Sequence, residues 1–182
     1  MPVNKPVIVL AGQLGAGCTE TAEKLAKKLG VSVVNSQLVI REIVAQERIS
    51  FDELERKARS GELDLEDVVK SVVLDHIAER NVVIEGRVAF LVLDNPNIDI
   101  KVFLWAPENF RAQRIAKRRN ISIEDALEAV RYSDEERKNL VYRLYKKDWI
   151  DADLYDAVIN TSKWTFDEVA HIVEEIFKTR VK

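Results

Sequence analysis

Residues 6–19 read PVIVLAGQLGAGCT, an apolar run that leads into a cluster of glycines. The run over residues 6–11 is uninterrupted and rich in β-branched residues, which is typical of a central parallel strand buried on both faces. Apolar residues then recur at helical spacing over residues 19–29, and Gly30 supplies a natural helix end. The sequence therefore predicts a buried strand, a glycine-rich turn and a helix in direct succession.

The glycine segment has the frame of a phosphate-binding loop, G-x-x-x-x-G-K-[S/T], with Cys18 in the lysine position. Glycines let the backbone approach phosphates closely, and the helix that follows adds the positive end of its dipole. A hydroxyl at position 19 falls where such loops ligate Mg²⁺. We predict that the donor phosphates bind here, at Gly12, Gly15, Ala16, Gly17, Cys18 and Thr19. The alternative is a strand–helix turn with no ligand.

The rest of the chain alternates short apolar runs with amphipathic stretches. Strands are predicted at residues 31–34, 81–86, 99–106 and 156–160, and helices at about 38–46, from Ser50, at 63–79, at 107–119, from Ser122 and from Thr165. Such alternation predicts βαβ units, so we expect a three-layer α/β fold with about five parallel strands flanked by helices. The length of 182 residues indicates one domain over residues 1–182.

Ligands of parallel sheets bind at the carboxyl ends of the strands, which draws attention to the Glu85-Gly86-Arg87 segment. The carboxylate of Glu85 could hold Mg²⁺ together with Thr19, and the guanidinium of Arg87 could hold a phosphate with two hydrogen bonds. The alternative is that Glu85 and Arg87 form ordinary surface ion pairs.

Arginines are concentrated in the two helices predicted after residue 107. Arg111, Arg114 and Arg118 share one helix face, Arg119 lies beside them, and Arg131 and Arg137 follow on the next helix. We predict that this group closes over the migrating phosphoryl group and supplies charge that position 18 lacks. The alternative is a solvated basic face balanced by neighbouring acidic residues.

Three further residues are candidates for binding the acceptor. Ser36 and Arg41 follow the second strand, near the expected ligand edge, and Arg41 could equally be a helix-surface charge. Asp153 could accept hydrogen bonds from a ribose or a base, or could simply be a turn residue.

Composition narrows the class of protein. Hydrophobic residues make up 47% of the chain and charged residues 32%, and no apolar run approaches the roughly 20 residues of a membrane span. The net charge of −3 argues against nucleic acid as a partner. A single cysteine excludes an internal disulfide and fits a reducing cytoplasm, where we expect the protein to act on a small molecule. The oligomeric state is left open.

Four segments resemble the cytidylate kinase family of nucleoside monophosphate kinases, particularly its archaeal branch. They are residues 82–87 (VVIEGR), 106–116 (APENFRAQRIA), 121–126 (ISIEDA) and 155–164 (YDAVINTSKW), and the resemblance extends over nearly the whole chain. It implies that the γ-phosphoryl group of ATP passes to a nucleoside monophosphate, most simply CMP, with Mg²⁺. The archaeal relatives also lack the loop lysine and carry threonine there.

The same resemblance implies roles for individual residues. Arg41 and Arg87 would hold the acceptor phosphate, Arg111, Arg114, Arg118 and Arg131 would belong to a lid over about residues 108–145, and Asp153 would recognise the acceptor. A helical insert over about residues 36–80 would bind the acceptor. The Asn35-Ser36-Gln37-Leu38 stretch departs from the family pattern. A kinase for another small molecule and a nucleotide-binding regulatory protein therefore stand as alternatives.

Overall fold

The computed structural model describes residues 5–180 and contains a five-stranded parallel sheet in the order β2-β3-β1-β4-β5. The strands are β1 (Val7–Gly12), β2 (Ser32–Val34), β3 (Val82–Glu85), β4 (Ile100–Trp105) and β5 (Ala157–Asn160). Each lies within one or two residues of its predicted position, so the expected α/β sheet is confirmed. Residues 1–4 and 181–182 of the predicted domain lie outside the described residues.

Seven α-helices flank the sheet in the described part of the chain. They are α1 (Cys18–Leu29), α2 (Ser36–Glu47), α3 (Phe51–Ser60), α4 (Leu65–Glu79), α5 (Glu108–Arg119), α6 (Ile123–Tyr145) and α7 (Phe166–Arg180). The predicted starts are confirmed, because Ser50, Ser122 and Thr165 each accept a hydrogen bond from the backbone N–H three residues on. Among residues 5–180, no helix is both long and apolar enough to cross a lipid bilayer.

The sheet divides the core into two layers. Val7 and Val9 of β1 contribute to one cluster, with α2, α4 and α6, whereas Ile8 and Leu10 contribute to the other, with α1 and α7. All four side chains are fully buried, as expected for a parallel strand covered on both faces. The sheet thus holds the β1–α1 turn at its carboxyl edge, between the two helical layers.

A 3₁₀ helix over Gly86–Val92 was not predicted from the sequence. Its residues 88–92 are all buried, and the phenol of Tyr145, near the end of α6, donates a hydrogen bond of 2.7 Å to the carbonyl of Phe90. The same oxygen accepts from the N–H of Leu93 at 3.1 Å. These bonds fix the C-terminal end of the 23-residue helix α6 against the segment that follows β3.

Phe103 lies at the centre of an aromatic cluster, so shortening it should destabilise the fold. It is 1% exposed, with ring centroids 4.9 Å from Tyr155 and 5.5 Å from Trp149. We expect Phe103→Ala to lower the free energy of unfolding by about 3–5 kcal/mol, measured by urea denaturation. The exposed neighbouring position offers a control, since Val158→Ala should cost less than about 1 kcal/mol. Equal losses for the two variants would contradict this assignment of the core.

Candidate active site

The turn between β1 and α1 forms the floor of a cleft of about 580 Å³. The N–H of Gln13 donates to the carbonyl of Leu104 at 3.0 Å, and its side-chain oxygen accepts from the N–H of Ala106 at 3.1 Å. The buried hydroxyl of Thr161 donates to the carbonyl of Ala16 at 2.7 Å. These bonds anchor the turn to the segments at the ends of β4 and β5, so its backbone is held in place before any ligand binds.

Three glycines of the turn occupy places where a side chain would collide with its neighbours. A Cβ atom at Gly12 would lie 2.5 Å from the Leu104 carbonyl oxygen, and one at Gly15 would lie 2.8 Å from the Arg111 carbonyl oxygen. At Gly17 it would lie 2.4 Å from the Phe166 ring. Gly15 and Gly17 also have φ values of +84° and +92°, in the left-handed region that favours glycine. Both close packing and backbone shape therefore require these residues.

The start of α1 opens into the cleft. Within the described residues, no side chain caps this helix, and its first N–H groups have no acceptor inside the helix. Cys18, the first helical residue, is buried, and its burial, with a smaller effect of the Glu85 charge, raises the thiol pKa to about 12. The thiol is therefore neutral at physiological pH and contributes no charge to the cleft.

Thr19 and Glu85, predicted to hold Mg²⁺, are in direct contact. The hydroxyl of Thr19 donates to the carboxylate oxygens of Glu85 at 3.2 and 3.3 Å. Glu85 is 5% exposed, and burial raises its pKa above the usual range despite the hydrogen bond from Thr19. A hydroxyl and a carboxylate are hard oxygen ligands suited to Mg²⁺, and a cation beside this buried carboxylate would offset the cost of its charge. The residues present therefore fit the predicted metal.

Arg114 lies over the turn itself. Its guanidinium is stacked between the rings of Phe110 and Phe166, 4.4 and 4.7 Å from their centroids, and donates to the carbonyls of Gly15 and Ala16 at 3.3 and 3.4 Å. Burial lowers its pKa, although a guanidinium stays charged at neutral pH. Arg114 thus places a fixed positive charge at the wall of the cleft.

The side chain of Arg111 binds other groups of the protein and does not line the cleft. Its side chain is 3% exposed and donates to the carbonyls of Ala106 and Leu14 and to both carboxylate oxygens of Asp134, at 3.0 and 2.7 Å. Four of the five guanidinium N–H donors can be assigned to these bonds. In this arrangement Arg111 ties α5, α6 and the turn together, and its predicted place in a lid stays a prediction.

The two other arginines predicted for the lid are more exposed. Arg118 lines the cleft and lies 3.6 Å from Glu20 of α1. Arg131 of α6 donates to Glu108 of α5 at 2.8 Å and does not line the cleft. Arg114 and Arg118 therefore line the cleft beside the β1–α1 turn, whereas Arg131 lies outside the cleft.

Arg137 of α6 is a cation suited to compensate for the loop lysine that Cys18 replaces. It lines the same cleft as the turn, it lies close enough to Cys18 for the two to affect each other's pKa, and burial lowers its own pKa. Its Nη1 donates to the carbonyl of Ser133 at 3.3 Å, whereas its buried Nε finds no hydrogen-bond partner among residues 5–180. A half-buried guanidinium at the wall of a cleft, with an Nε–H that lacks a partner within the described residues, is suited to an anionic ligand.

A second, apolar pocket of about 350 Å³ adjoins the cleft and contains two predicted residues, Ser36 and Arg87. Gly86 lines the cleft and Arg87 lines the pocket, so the two spaces meet at the end of β3. Arg87 is exposed and pairs with Glu136 of α6 at 3.3 Å. Ser36 and Arg87, both predicted to bind the acceptor, therefore line the same pocket.

Arg41 and Asp153 lie outside both spaces. Arg41 is exposed on α2 and lines neither the cleft nor the apolar pocket. Asp153 is exposed and pairs with Lys147 at 3.1 Å, while its N–H donates to Asp151 in a local turn. Their predicted roles in binding the acceptor stay predictions.

Several residues of the site were not singled out from the sequence. Phe110 and Phe166 stack on Arg114 from two different helices, and Asp134 holds Arg111. The four-residue spacing of Phe110 and Arg114 was a usable signal, since such pairs are adjacent on a helix. The other contacts join parts of the chain far apart in sequence, and no local pattern indicates them.

The parallel sheet and the glycine turn at its carboxyl edge define the class of fold, which is that of the phosphate-binding-loop kinases. A solved protein from Eubacterium ventriosum superposes with a TM-score of 0.74 at 19% identity, covering 95% of this chain and 98% of that one. A shikimate kinase from Acinetobacter baumannii, in complex with shikimate, gives a TM-score of 0.63 at 20% identity, covering 98% and 97%. These likenesses establish the fold.

Sequence comparison identifies the family. A model described as the cytidylate kinase-like family matches residues 7–163. Cytidylate kinases of Pyrococcus horikoshii and Pyrococcus abyssi are each 35% identical over 175 residues, which is 96% of this chain and 89% and 94% of those proteins. The chain belongs to the cytidylate kinase-like family, and the resemblance described from the sequence is confirmed.

The environment of Cys18 predicts an unreactive thiol. With a pKa of about 12, the thiolate fraction at about pH 8 is roughly a thousand times smaller than for an unperturbed thiol. We expect iodoacetamide to label the native protein very slowly and the protein in guanidinium chloride rapidly, as measured by mass spectrometry. Equally fast labelling of both forms would show that the thiol is accessible and ionised.

Proposed function

We propose that the protein transfers the γ-phosphoryl group of ATP to a nucleoside monophosphate, with CMP as the preferred acceptor and Mg²⁺ as the required cation. The observation that carries this proposal is the contact of Thr19 with the buried carboxylate of Glu85 at the mouth of the glycine turn. CMP is favoured by the names of the relatives. The arrangement of the cleft and the adjoining pocket supplies a donor side and an acceptor side.

On the donor side, the N–H groups at the start of α1 bind the phosphates of ATP, and the dipole of α1 favours their negative charge. Thr19 and Glu85 would hold Mg²⁺, which supplies neutralisation of the charge on the phosphate oxygens. Arg114 and Arg118 bind from the wall formed by α5. Because the turn is already anchored to β4 and β5, little reorganisation is needed when the nucleotide binds.

Because Cys18 occupies the lysine position, the donor side lacks the usual ammonium group. We propose that Arg137 supplies part of the positive charge that this lysine would contribute. Arg137 lines the cleft near Cys18, and its buried Nε–H has no hydrogen-bond partner among residues 5–180. It extends from α6, whereas Arg114 and Arg118 extend from α5. Phosphoryl transfer depends mainly on positioning and charge neutralisation, so a guanidinium can serve where an ammonium is absent.

On the acceptor side, the apolar pocket lies where Arg87 can bind the acceptor phosphate and orient one of its oxygens toward the cleft. Arg87 is held by Glu136, an exposed pair that a phosphate can replace at small cost. The reaction then proceeds by direct transfer between two bound nucleotides, without a covalent enzyme intermediate.

A panel of acceptors tests the proposal. Purified protein with ATP and Mg²⁺ should release ADP most efficiently with CMP or dCMP, less with UMP, AMP and GMP, and not with nucleosides or shikimate. Omission of Mg²⁺ should abolish turnover. Release of ADP with a non-nucleotide acceptor alone would instead favour a kinase for another small molecule. Tight ATP binding by calorimetry without turnover of any acceptor would favour a regulatory protein, the alternative suggested by Cys18.

Substitution of Arg137 tests its proposed role. We expect Arg137→Gln to lower kcat by about 10²–10³-fold, as removal of one preorganised donor commonly does, with little change in melting temperature. The neighbouring Lys138→Gln is a matched control, because Lys138 is exposed and lies on the same helix. A kcat for Arg137→Gln within about threefold of the parent would refute the role of Arg137, since a contributing charge has a larger effect.

A further inference from the structure

The apolar pocket beside Arg87 has the properties of a base-binding site. Its volume of about 350 Å³ lies within the range of roughly 300–1,000 Å³ found for small-molecule sites. Four elements contribute aliphatic side chains to its walls, namely Ile40 of α2, Leu65 and Val69 of α4, Val88 and Leu91 of the 3₁₀ helix, and Leu140 of α6. Such walls can pack against the faces of a planar ring, but they cannot distinguish one base from another.

Glu66 is the acidic residue among those that line this pocket. It lies in the first turn of α4, where the helix dipole favours a carboxylate, and its N–H donates to the capping residue Asp64 at 3.1 Å. Its side chain is 35% exposed, so it is accessible to a ligand. The remaining polar lining groups are the hydroxyl of Ser36, which can donate or accept, and Arg87 at the phosphate end.

Arg143 of α6 fixes the orientation of this carboxylate. Its Nη1 and Nη2 donate to the two oxygens of Glu66 at 2.8 and 2.5 Å, a two-fold contact that a lysine could not reproduce. Each carboxylate oxygen has a further lone pair, so the pair can still accept hydrogen bonds from a third group. Glu66 therefore presents oriented acceptor oxygens to the pocket.

We propose that Glu66, oriented by Arg143, selects acceptor bases that carry an amino group at C4 of a pyrimidine or C6 of a purine, namely cytosine and adenine, and rejects uracil and guanine. This inference rests on the proposed nucleotide kinase function. An exocyclic amine donates to a carboxylate, as in recognition of the cytosine amine by Glu or Asp in nucleic-acid complexes. Uracil and guanine present a carbonyl oxygen at that place, which cannot donate to the carboxylate and adds repulsion between the two acceptor oxygens.

The test compares kcat/KM for CMP with that for UMP in the parent, in Glu66→Gln and in Glu128→Gln. A well-placed base contact discriminates by about 1–3 kcal/mol, roughly 5–150-fold, so we expect the parent to prefer CMP within this range. An amide can rotate to donate or accept, so Glu66→Gln should reduce the preference at least about fivefold, mainly through better use of UMP. Glu128 is exposed on α6 and lines neither space, so its variant should keep the parental ratio. AMP and GMP provide a second amine and carbonyl pair, for which the same change is expected.

Arg143 is a positioning residue and needs a separate readout. Arg143→Gln should raise KM for CMP and leave kcat at saturating CMP near the parental value, because the phosphates are held elsewhere. Arg143→Lys should restore only part of the affinity, since an ammonium holds a single point of the carboxylate. Melting temperatures close to that of the parent would exclude a general loss of structure.

The outcomes separate the inference from the function on which it rests. Turnover of CMP with a ratio unchanged in Glu66→Gln, or a parental preference for UMP or GMP, would overturn the role of Glu66 and leave the kinase proposal standing. Turnover of no monophosphate by the parent protein would overturn both. A fall in the ratio in Glu66→Gln that Glu128→Gln does not share would establish Glu66 as the residue that selects the base.

Discussion

The close packing of the β1–α1 turn is the constraint on which the other features depend. Leu104, Arg111 and Phe166 each occupy the space where a side chain of the turn would otherwise lie. These three neighbours come from β4, α5 and α7, so the turn packs against the sheet and against two helices that are distant in sequence. Its shape is therefore set by the whole fold, and the orientation of its backbone N–H groups follows from that shape rather than from a bound ligand.

The charges around the cleft are distributed in an unusual way. Position 18, which commonly carries an ammonium group in such loops, carries a neutral buried thiol. Positive charge enters instead from α5 and α6, through guanidinium groups on longer side chains with fixed planar geometry. Glu85 provides the opposing negative charge from the end of β3, and its burial makes a compensating cation favourable. Moving the cations from the loop to two helices makes the charge of the site depend on how those helices pack.

Much of the fold could be predicted, because its signals are local. Runs such as VIVLA and VVIE are apolar over their full length and specify buried parallel strands, and Ser50 and Ser122 mark helix starts within one residue. The pairing of Thr19 with Glu85 also followed from the rule that strand ends meet at one edge of a sheet.

Arg111 shows the limit of this reasoning. Its spacing with Arg114 and Arg118 indicates a shared helix face, yet its partners Leu14 and Asp134 are distant in sequence, so its burial could not be foreseen. The same holds for the 3₁₀ helix over Gly86–Val92, which is stabilised by Tyr145 more than fifty residues away.

Helix α6 contributes to both ends of the proposed reaction path. Arg137 lies at the cleft, Leu140 at the apolar pocket and Arg143 at the carboxylate of Glu66, all on one rigid helix whose far end is fastened by Tyr145. Six residues of α-helix correspond to a rise of about 9 Å, so Arg137 and Arg143 keep a set distance from each other along one helix. A tilt or shift of α6 would therefore displace both residues together, and the phosphate side and the base side of the site would change at the same time.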